Sequence, residues 1–112
     1  MVQLLFFVYI FFSFCVEDLG NDDYGDFLSR LPHDECRYAV YNFAYRKEAE
    51  KKQALIFIMW IPENATRKSR TMFINKKEKF KDKFFGINMY VDASKKGQLK
   101  QFRILQKAMK LA

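Results

Sequence analysis

The feature that most constrains the fold of this chain is a run of eight consecutive apolar residues, Ala54 to Ile61, closed by Pro62. A strand covered on one face alternates between apolar and polar residues, whereas this run has no polar face. It therefore predicts a central strand buried on both faces. The expected architecture is α/β of the α+β type, a mixed sheet flanked by helices.

Two further strands are predicted around this run. Cys36 to Tyr45 is rich in aromatic and β-forming residues, and Ile87 to Val91 has a similar character. Between the first of these and the apolar run, Arg46 to Gln53 is expected to be a charged, exposed connector at the end of a hairpin.

Two helices are predicted upstream of the last strand. Asp22 or Asp23 is expected to cap a short helix that ends at Pro32. Its apolar residues are Tyr24, Phe27, Leu28 and Leu31. A long helix, capped by Asn64, Thr66 or Ser69, is expected to run to about Phe85, with Gly86 as its terminator. Its apolar stripe consists of Phe73, Phe80, Phe84 and Ile87, and Lys68, Lys79 and Lys83 fall off that stripe.

A final helix is predicted after Ser94, which is expected to cap it. Leu99, Phe102, Leu105 and Met109 should face inward. On the other side, a basic stripe is formed by Lys96, Lys100, Arg103, Lys107 and Lys110. Such a stripe suits a membrane surface or an acidic partner, and it equally suits a solvated face.

The N-terminal segment, residues 1–14, is set apart from the expected single domain at 15–112. Val2 to Phe14 has no charge and is shorter than the roughly 20 residues that span a bilayer. No Lys or Arg precedes Arg30, and Ser13-Phe14-Cys15 is a poor cleavage site for a signal peptide. A secretory segment and a buried strand both remain open.

The charge distribution points to an acidic partner. The net charge is +7, and residues 67–83 hold eight Lys or Arg against Glu78 and Asp82. Such a patch suits a protein surface, anionic lipid or nucleic acid, or a basic face kept for solubility. Nucleic acid is poorly supported because the aromatic residues look committed to the core.

Catalytic chemistry has little support in the sequence. The single histidine, His33, lies in a turn, and the scattered glycines form no phosphate-binding loop. Cys36 is expected to be a small buried hydrophobe, and the two cysteines have no metal-ligand spacing. We therefore expect a binding module without metal or cofactor, not an enzyme, in a reducing compartment.

Several ordered motifs resemble the actin-depolymerising factor/cofilin family, which carries the ADF-homology domain. Residues 34–41 (DECRYAVY) are similar to the family's DCRYALYD segment, and residues 54–63 to its LVFIFWAPE strand. Residues 65–70 are similar to the start of its long helix. Residues 22–32 and 85–87 match its DDPY-FVK-LP and TGI segments.

This resemblance implies a monomeric cytoplasmic protein of the actin cytoskeleton that binds actin monomers and filaments and promotes depolymerisation and severing. The family's long helix inserts into a cleft on actin, led by basic residues. The implied actin-binding residues are Lys68, Arg70, Thr71 and Met72 on that helix, Lys51 and Lys52 in the hairpin, and Lys100 and Arg103 in the last helix. Many family members also bind phosphoinositides.

The chain departs from the family at both ends. The family's N-terminal segment, with its phosphoregulated serine, has no counterpart in Met1 to Phe14, and the final strand is missing. The family's methionine after the basic pair aligns with Thr71, and Gly97, Gln98 and Gln101 replace acidic residues of the last helix. We therefore expect weaker monomer binding without regulation at that serine. A basic module on anionic membranes and a degenerate copy without binding activity are the alternatives.

Physical chemistry supports the long-helix site independently of the resemblance. Arg67, Lys68 and Arg70 fall in the first turn of the predicted helix. Cations there oppose the helix macrodipole at a cost of about 0.3–1 kcal/mol each. An anionic partner would offset that cost.

Overall fold

The computed structural model describes residues 2–5, 8–12 and 23–111, the first two ranges through their backbone. The strands are β1 Val2–Leu5, β2 Val8–Phe12, β3 Arg37–Lys47, β4 Glu50–Trp60 and β5 Met89–Ala93. The helices are α1 Asp23–Ser29, α2 Arg67–Lys81 and α3 Gln101–Met109, and a 3₁₀ turn, Lys96–Leu99, precedes α3.

The five strands form one mixed sheet in the order β1-β2-β3-β4-β5. The β1/β2 and β3/β4 pairs are antiparallel, and the β2/β3 and β4/β5 pairs are parallel. The expected mixed sheet with helices is confirmed. The apolar N-terminal segment contributes β1 and β2, while the boundary predicted between residues 14 and 15 lies outside the described residues, as does Asp22.

Strand β4 is buried on both faces, as its apolar run predicts. Because successive side chains alternate between faces, Ile56 and Ile58 point to one side and Phe57 to the other. The first side is covered by α1 and α3, whose buried residues include Phe27 and Ile104. The second side is covered by α2 through Phe73, Phe80 and Phe84, the predicted apolar stripe. The molecule is therefore a sheet between two helical layers.

Buried tyrosine hydroxyls join α1 to the turn before α3 and join α2 to the sheet. The Tyr24 hydroxyl of α1 donates to the Leu99 carbonyl at 2.6 Å, and Tyr38 of β3 donates to the carbonyl of Phe73 in α2. Burial raises the pKa of Tyr38 to about 12, with the nearby Cys36 adding to the shift. Burial also raises the pKa of Tyr24. Both hydroxyls therefore stay protonated and donate at neutral pH.

The prediction of a charged, largely exposed hairpin end over Arg46 to Gln53 is confirmed, but most of this segment belongs to the two strands and not to a connector. The ladder between β3 and β4 continues to the pair Lys47 and Glu50, and the turn consists of Glu48 and Ala49 alone. Their φ angles of 52° and 69° give the left-handed turn that matches the twist of a two-residue hairpin. Charged residues occupy these strand ends because solvent surrounds them while the backbones still pair.

The predicted end of α2 and the predicted start of β5 are also wrong. The helix ends at Lys81 and not near Phe85, because Phe84 N–H bonds to the Lys81 carbonyl at 3.2 Å in a tighter turn. This turn brings the Phe84 ring to 6.0 Å from that of Phe57. Gly86, with φ 77°, lies beyond the helix, and β5 starts two residues later than predicted, at Met89.

The last helix differs from its prediction in the residue at which it starts and in which side chains it buries. Leu99 is buried, and Leu105 and Met109 are half-buried, as expected. Phe102 is 56% exposed, so its inward assignment is wrong, and Ile104 and Ala108 fill the core instead. Ser94 does not cap the helix, because the 3₁₀ turn intervenes and Lys100 holds the cap position of α3.

Removing the buried hydroxyl of Tyr24 should lower stability. We expect Tyr24→Phe to reduce the free energy of unfolding by about 1–2 kcal/mol, because the Leu99 carbonyl loses a buried hydrogen bond. Tyr90→Phe is the matched control, since Tyr90 is exposed and its hydroxyl bonds to no described residue. Urea unfolding followed by circular dichroism measures both, and equal midpoints would contradict the assignment.

Relieving the backbone at the hairpin turn should raise stability. Ala49 holds a positive φ, which costs an L-residue about 1 kcal/mol and costs glycine almost nothing. We expect Ala49→Gly to raise the free energy of unfolding by about 0.5 kcal/mol after the added freedom of the unfolded chain is counted. Ala108→Gly, inside α3, should lower it. A destabilised Ala49→Gly protein would be inconsistent with the turn.

Candidate binding surface

The start of α2 is fixed by one of the three residues proposed to cap it. Thr66 is extended, with φ −66° and ψ 152°, and its Oγ1 accepts the Ser69 N–H at 3.1 Å. This hydrogen bond satisfies one of the N–H groups that the first helical turn leaves open. Thr66 is therefore the N-cap, and the backbone of the basic segment that follows has a defined position.

The first turn of α2 carries positive charge that no acidic residue of the same turn neutralises. It contains no acidic residue, and Arg67 and Lys68 are exposed. Within the part of the chain that the structure describes, neither forms an ion pair. The helix therefore carries unpaired positive charge at the positive end of its dipole, as the sequence predicts.

Arg70 differs from Lys68 although both belong to the predicted site. Arg70 is half-buried, and its Nε is enclosed without a hydrogen-bond partner among the described residues. Its charge acts on the thiol of Cys36, which is 1% exposed as predicted. Burial raises the pKa of Cys36, while a hydrogen bond with Ser69 and the charges of Arg70 and Arg37 oppose that rise. Partial burial restricts the Arg70 side chain.

Thr71 and Met72 lie on the outer surface of α2. Both are exposed, Met72 to 37%, and both neighbour Lys68 at spacings of three and four residues. The buried side of the helix, marked by Phe73, faces the sheet. The structure thus brings Lys68, Thr71 and Met72 together on one solvent-facing surface with Arg70 at its flank.

The hairpin lysines lie far from this surface. Lys51 is exposed and Lys52 is half-buried, with its Nζ 3.6 Å from the Glu50 carboxylate. Both are at the start of β4, whereas α2 begins just after the strand ends at Trp60. Lys51 and Lys52 precede Trp60 by nine and eight residue steps, which along an extended strand span about 30 and 26 Å. The sequence-predicted residues therefore fall on two separate surfaces.

Lys100 and Arg103, at the start of α3, are exposed and lie on the other helical layer.

A connection that the sequence did not suggest joins the far end of α3 to the hairpin. Lys47 Nζ donates to the Met109 carbonyl at 2.9 Å, and the Tyr45 hydroxyl donates to the Ala108 carbonyl at 3.3 Å. Helix C-terminal carbonyls are often bonded by a lysine of the same helix, and such a lysine can be recognised from the sequence. Lys47 is 62 residues away from Met109, so the sequence gives no such signal here.

An open depression of about 390 Å³ adjoins that connection. It is lined by Tyr45, Lys51, Lys52, Gln53, Asn88 and Leu111.

Among the described residues, no group of His, Cys, Asp or Glu side chains has the arrangement of a metal site. In the same residues, no helix has the length and apolar character needed to cross a bilayer.

Comparisons with known proteins agree with the motifs and the fold. A sequence model of the family described as cofilin/tropomyosin-type actin-binding protein matches residues 10–109. Actophorin of Acanthamoeba castellanii is 32% identical over 97 residues, which cover 85% of this chain and 70% of actophorin. The chain belongs to this family.

Other relatives extend the comparison. Actin-depolymerizing factor 8 of Arabidopsis thaliana is 38% identical over 82 residues, 70% of this chain and 59% of its own length. The crystal structure of Streptomyces griseoflavus cofilin is similar with a TM-score of 0.72 and 31% identity, covering 79% of this chain and 68% of that one. The family is described by actin binding and not by a catalysed reaction, which is consistent with a binding module.

The capping bond of α2 should contribute to stability. We expect Thr66→Ala to lower the free energy of unfolding by about 1 kcal/mol, because the Ser69 N–H loses its acceptor. Thr71→Ala is the control, since Thr71 is exposed inside the helix, where alanine is the better helix former. Thermal unfolding of both variants compares the two sites. Equal losses would mean that the cap is absent in solution.

Proposed function

We propose that this protein binds actin through the start of α2, in the cytoplasm, and contributes to filament depolymerisation and severing. The observation that carries the proposal is the unpaired, exposed charge of Arg67 and Lys68 at a helix start that contains no acid. Family membership supports actin as the acidic partner of this surface. The names of the relatives, actin-depolymerizing factor and cofilin, indicate the activity.

The surface of α2 combines the features of an effective contact. Lys68 supplies charge, the neighbouring Met72 supplies an exposed apolar side chain, and Arg70 is held by its partial burial. Apolar anchors and restricted arginines are typical of residues that dominate binding energy. The helix beneath them is fixed to the sheet by Phe73 and by the hydrogen bond from Tyr38. Little conformational entropy is therefore lost when the surface is occupied.

The second surface, formed by Lys51 and Lys52 in the hairpin and tied to the end of α3, supports a preference for filaments. Because roughly 26–30 Å of β4 separates these lysines from the strand end that leads to α2, the two surfaces can meet different subunits of an assembly. Monomers would then be held through the α2 surface alone. We accordingly propose weaker binding to monomers than to filaments, and a monomeric state for this protein.

Charge reversal at the α2 surface tests the proposal. We expect Lys68→Glu/Arg70→Glu to weaken cosedimentation with filamentous actin at least about tenfold, because two attractive contacts become repulsive. Lys107→Glu/Lys110→Glu makes the same change in net charge at exposed positions of α3 and should pellet like the unchanged protein. Circular dichroism checks that both variants fold. Unchanged pelleting of the first variant would refute the site.

Binding to anionic, phosphoinositide-containing membranes is the second candidate, favoured by the surface of α3. The basic stripe is fully exposed there, and Phe102 and Leu111 beside it are 56% and 49% exposed. Exposed apolar residues next to cations are the usual combination at a membrane surface. Flotation with phosphoinositide vesicles separates the candidates. Membrane binding predicts loss in Lys107→Glu/Lys110→Glu, and a degenerate copy predicts no binding in either assay.

A further inference from the structure

Six residues of the sequence carry an aliphatic hydroxyl, and they differ in the charge of the residues that precede them. They are Ser13, Ser29, Thr66, Ser69, Thr71 and Ser94. Of these, Ser69 and Thr71 alone have a lysine or an arginine among the four preceding residues. Thr71 has three such residues, Arg67, Lys68 and Arg70. Protein kinases choose substrates by charge pattern, so a kinase with an acidic substrate-binding surface would favour these two hydroxyls.

The structure separates the two hydroxyls by their accessibility. Ser69 is half-buried, and its side chain is hydrogen-bonded to the buried thiol of Cys36. Thr71 is exposed on the outer surface of α2. The hydroxyl of Thr66 is also nearby, but it accepts the Ser69 N–H as the helix cap and has no preceding cation. Thr71 is therefore the hydroxyl that combines an exposed position with a basic segment before it.

The start of α2 has the properties of a segment that opens locally, which matters because a kinase holds its substrate as an extended chain. Residues 67–72 contain no buried side chain, and Phe73 is the first residue of α2 that is anchored in the core. The charges of Arg67 and Lys68 oppose the helix dipole. Segments with few buried contacts open at a low free-energy cost. Thr71 can therefore be reached without unfolding the sheet.

We propose that Thr71 is phosphorylated by a protein kinase that recognises basic residues, and that this modification switches off binding by the start of α2. The Thr71 Oγ1 attacks the γ-phosphorus of ATP, the bond from that phosphorus to the bridging oxygen breaks, and ADP leaves. The hydroxyl proton passes to the catalytic base of the kinase. The inference rests on the proposed function for the activity that is switched off, which is actin binding.

The phosphate would change the charge of the α2 surface at its centre. It adds about −1.5 to −2 charges at neutral pH. Lys68 and Arg67 lie three and four residues before Thr71, so they are its neighbours on the helix surface. Their side chains can donate to the phosphate oxygens, and such charge-assisted hydrogen bonds are strong. The surface then loses most of the positive charge that it presents to an acidic partner.

Binding and stability should respond in opposite directions. The phosphate compensates Arg67 and Lys68, whose charge opposes the helix dipole in the unmodified protein. Phosphorylation should therefore stabilise α2 while it weakens binding to an acidic partner. A bulky group that merely disturbed the helix would lower both stability and affinity, so measuring the two together identifies charge as the cause.

Phosphothreonine installed at position 71 during translation tests the effect of the modification. We expect cosedimentation with filamentous actin to weaken about tenfold, and the melting temperature to rise by about 2 °C. Phosphoserine installed at position 29 is the matched control, because Ser29 is exposed at the end of α1, on the opposite face of the sheet. That protein should pellet like the unmodified one.

Treatment with Mg-ATP and a panel of kinases that select basic residues tests whether the site is used. Mass spectrometry should find phosphate on Thr71 in the unchanged protein and on the same residue in Ser69→Ala. Thr71→Ala should take up none. Thr66→Ala should be modified faster than the unchanged protein, because loss of the cap lets the start of α2 open more often. If no kinase of the panel modifies Thr71, the proposal is wrong.

The outcomes separate failure of this inference from failure of the proposed function. If the unmodified protein does not pellet with actin filaments, the proposed function fails, whereas uptake at Thr71 and the rise in melting temperature still support the modification site. If the unmodified and the phosphothreonine proteins pellet equally, the switch is refuted and actin binding stands. A joint fall in pelleting and melting temperature also overturns the inference, because disruption of the helix would then explain the loss.

Discussion

The antiparallel pairing of β3 with β4 over eleven residues is the interaction on which the rest of the structure depends. Each strand is buried on both faces, so the pair supplies the inner surface of both helical layers. Ile58 and its neighbours receive α1 and α3, and Phe57 receives α2. Loss of this pairing would expose the buried faces of the helices in both layers at once. The stability of the helices therefore depends on the sheet. The same strands also set the separation between the hairpin and the start of α2.

Much of this arrangement can be predicted because burial leaves a strong pattern. The uninterrupted apolar run identifies β4, and Thr66 is a residue type that caps helices. Prediction from sequence fails where the backbone changes from one type of helix to another and the amino-acid composition stays the same. The inward assignment of Phe102 assumed a single helix of 3.6 residues per turn. The preceding 3₁₀ turn has 3.0 residues per turn, and this shift of phase places Ile104 in the core.

The candidate site shows the same division. Sequence alone identifies the cations of α2, since their spacing from the apolar stripe places them outside the core. It treats Lys68 and Arg70 as equivalent, because the partial burial of Arg70 beside Cys36, the residue before β3, is a contact between residues distant in sequence. For the same reason, the bond from Lys47 to the end of α3 has no signal in the local pattern. Tertiary contacts decide both of them.

The two halves of α2 have different roles in stability, and this difference explains how a cationic helix start persists. The second half is anchored to β5, where Lys77 Nζ lies 2.8 Å from the Asp92 carboxylate and Lys81 Nζ lies 4.0 Å from the centre of the Tyr90 ring. Cations in that last turn also complement the helix dipole. The first half carries unfavourable charge, and packing of Phe73 keeps it helical. The helix is thus stabilised from the sheet, and it persists although the charge of its first turn is not compensated.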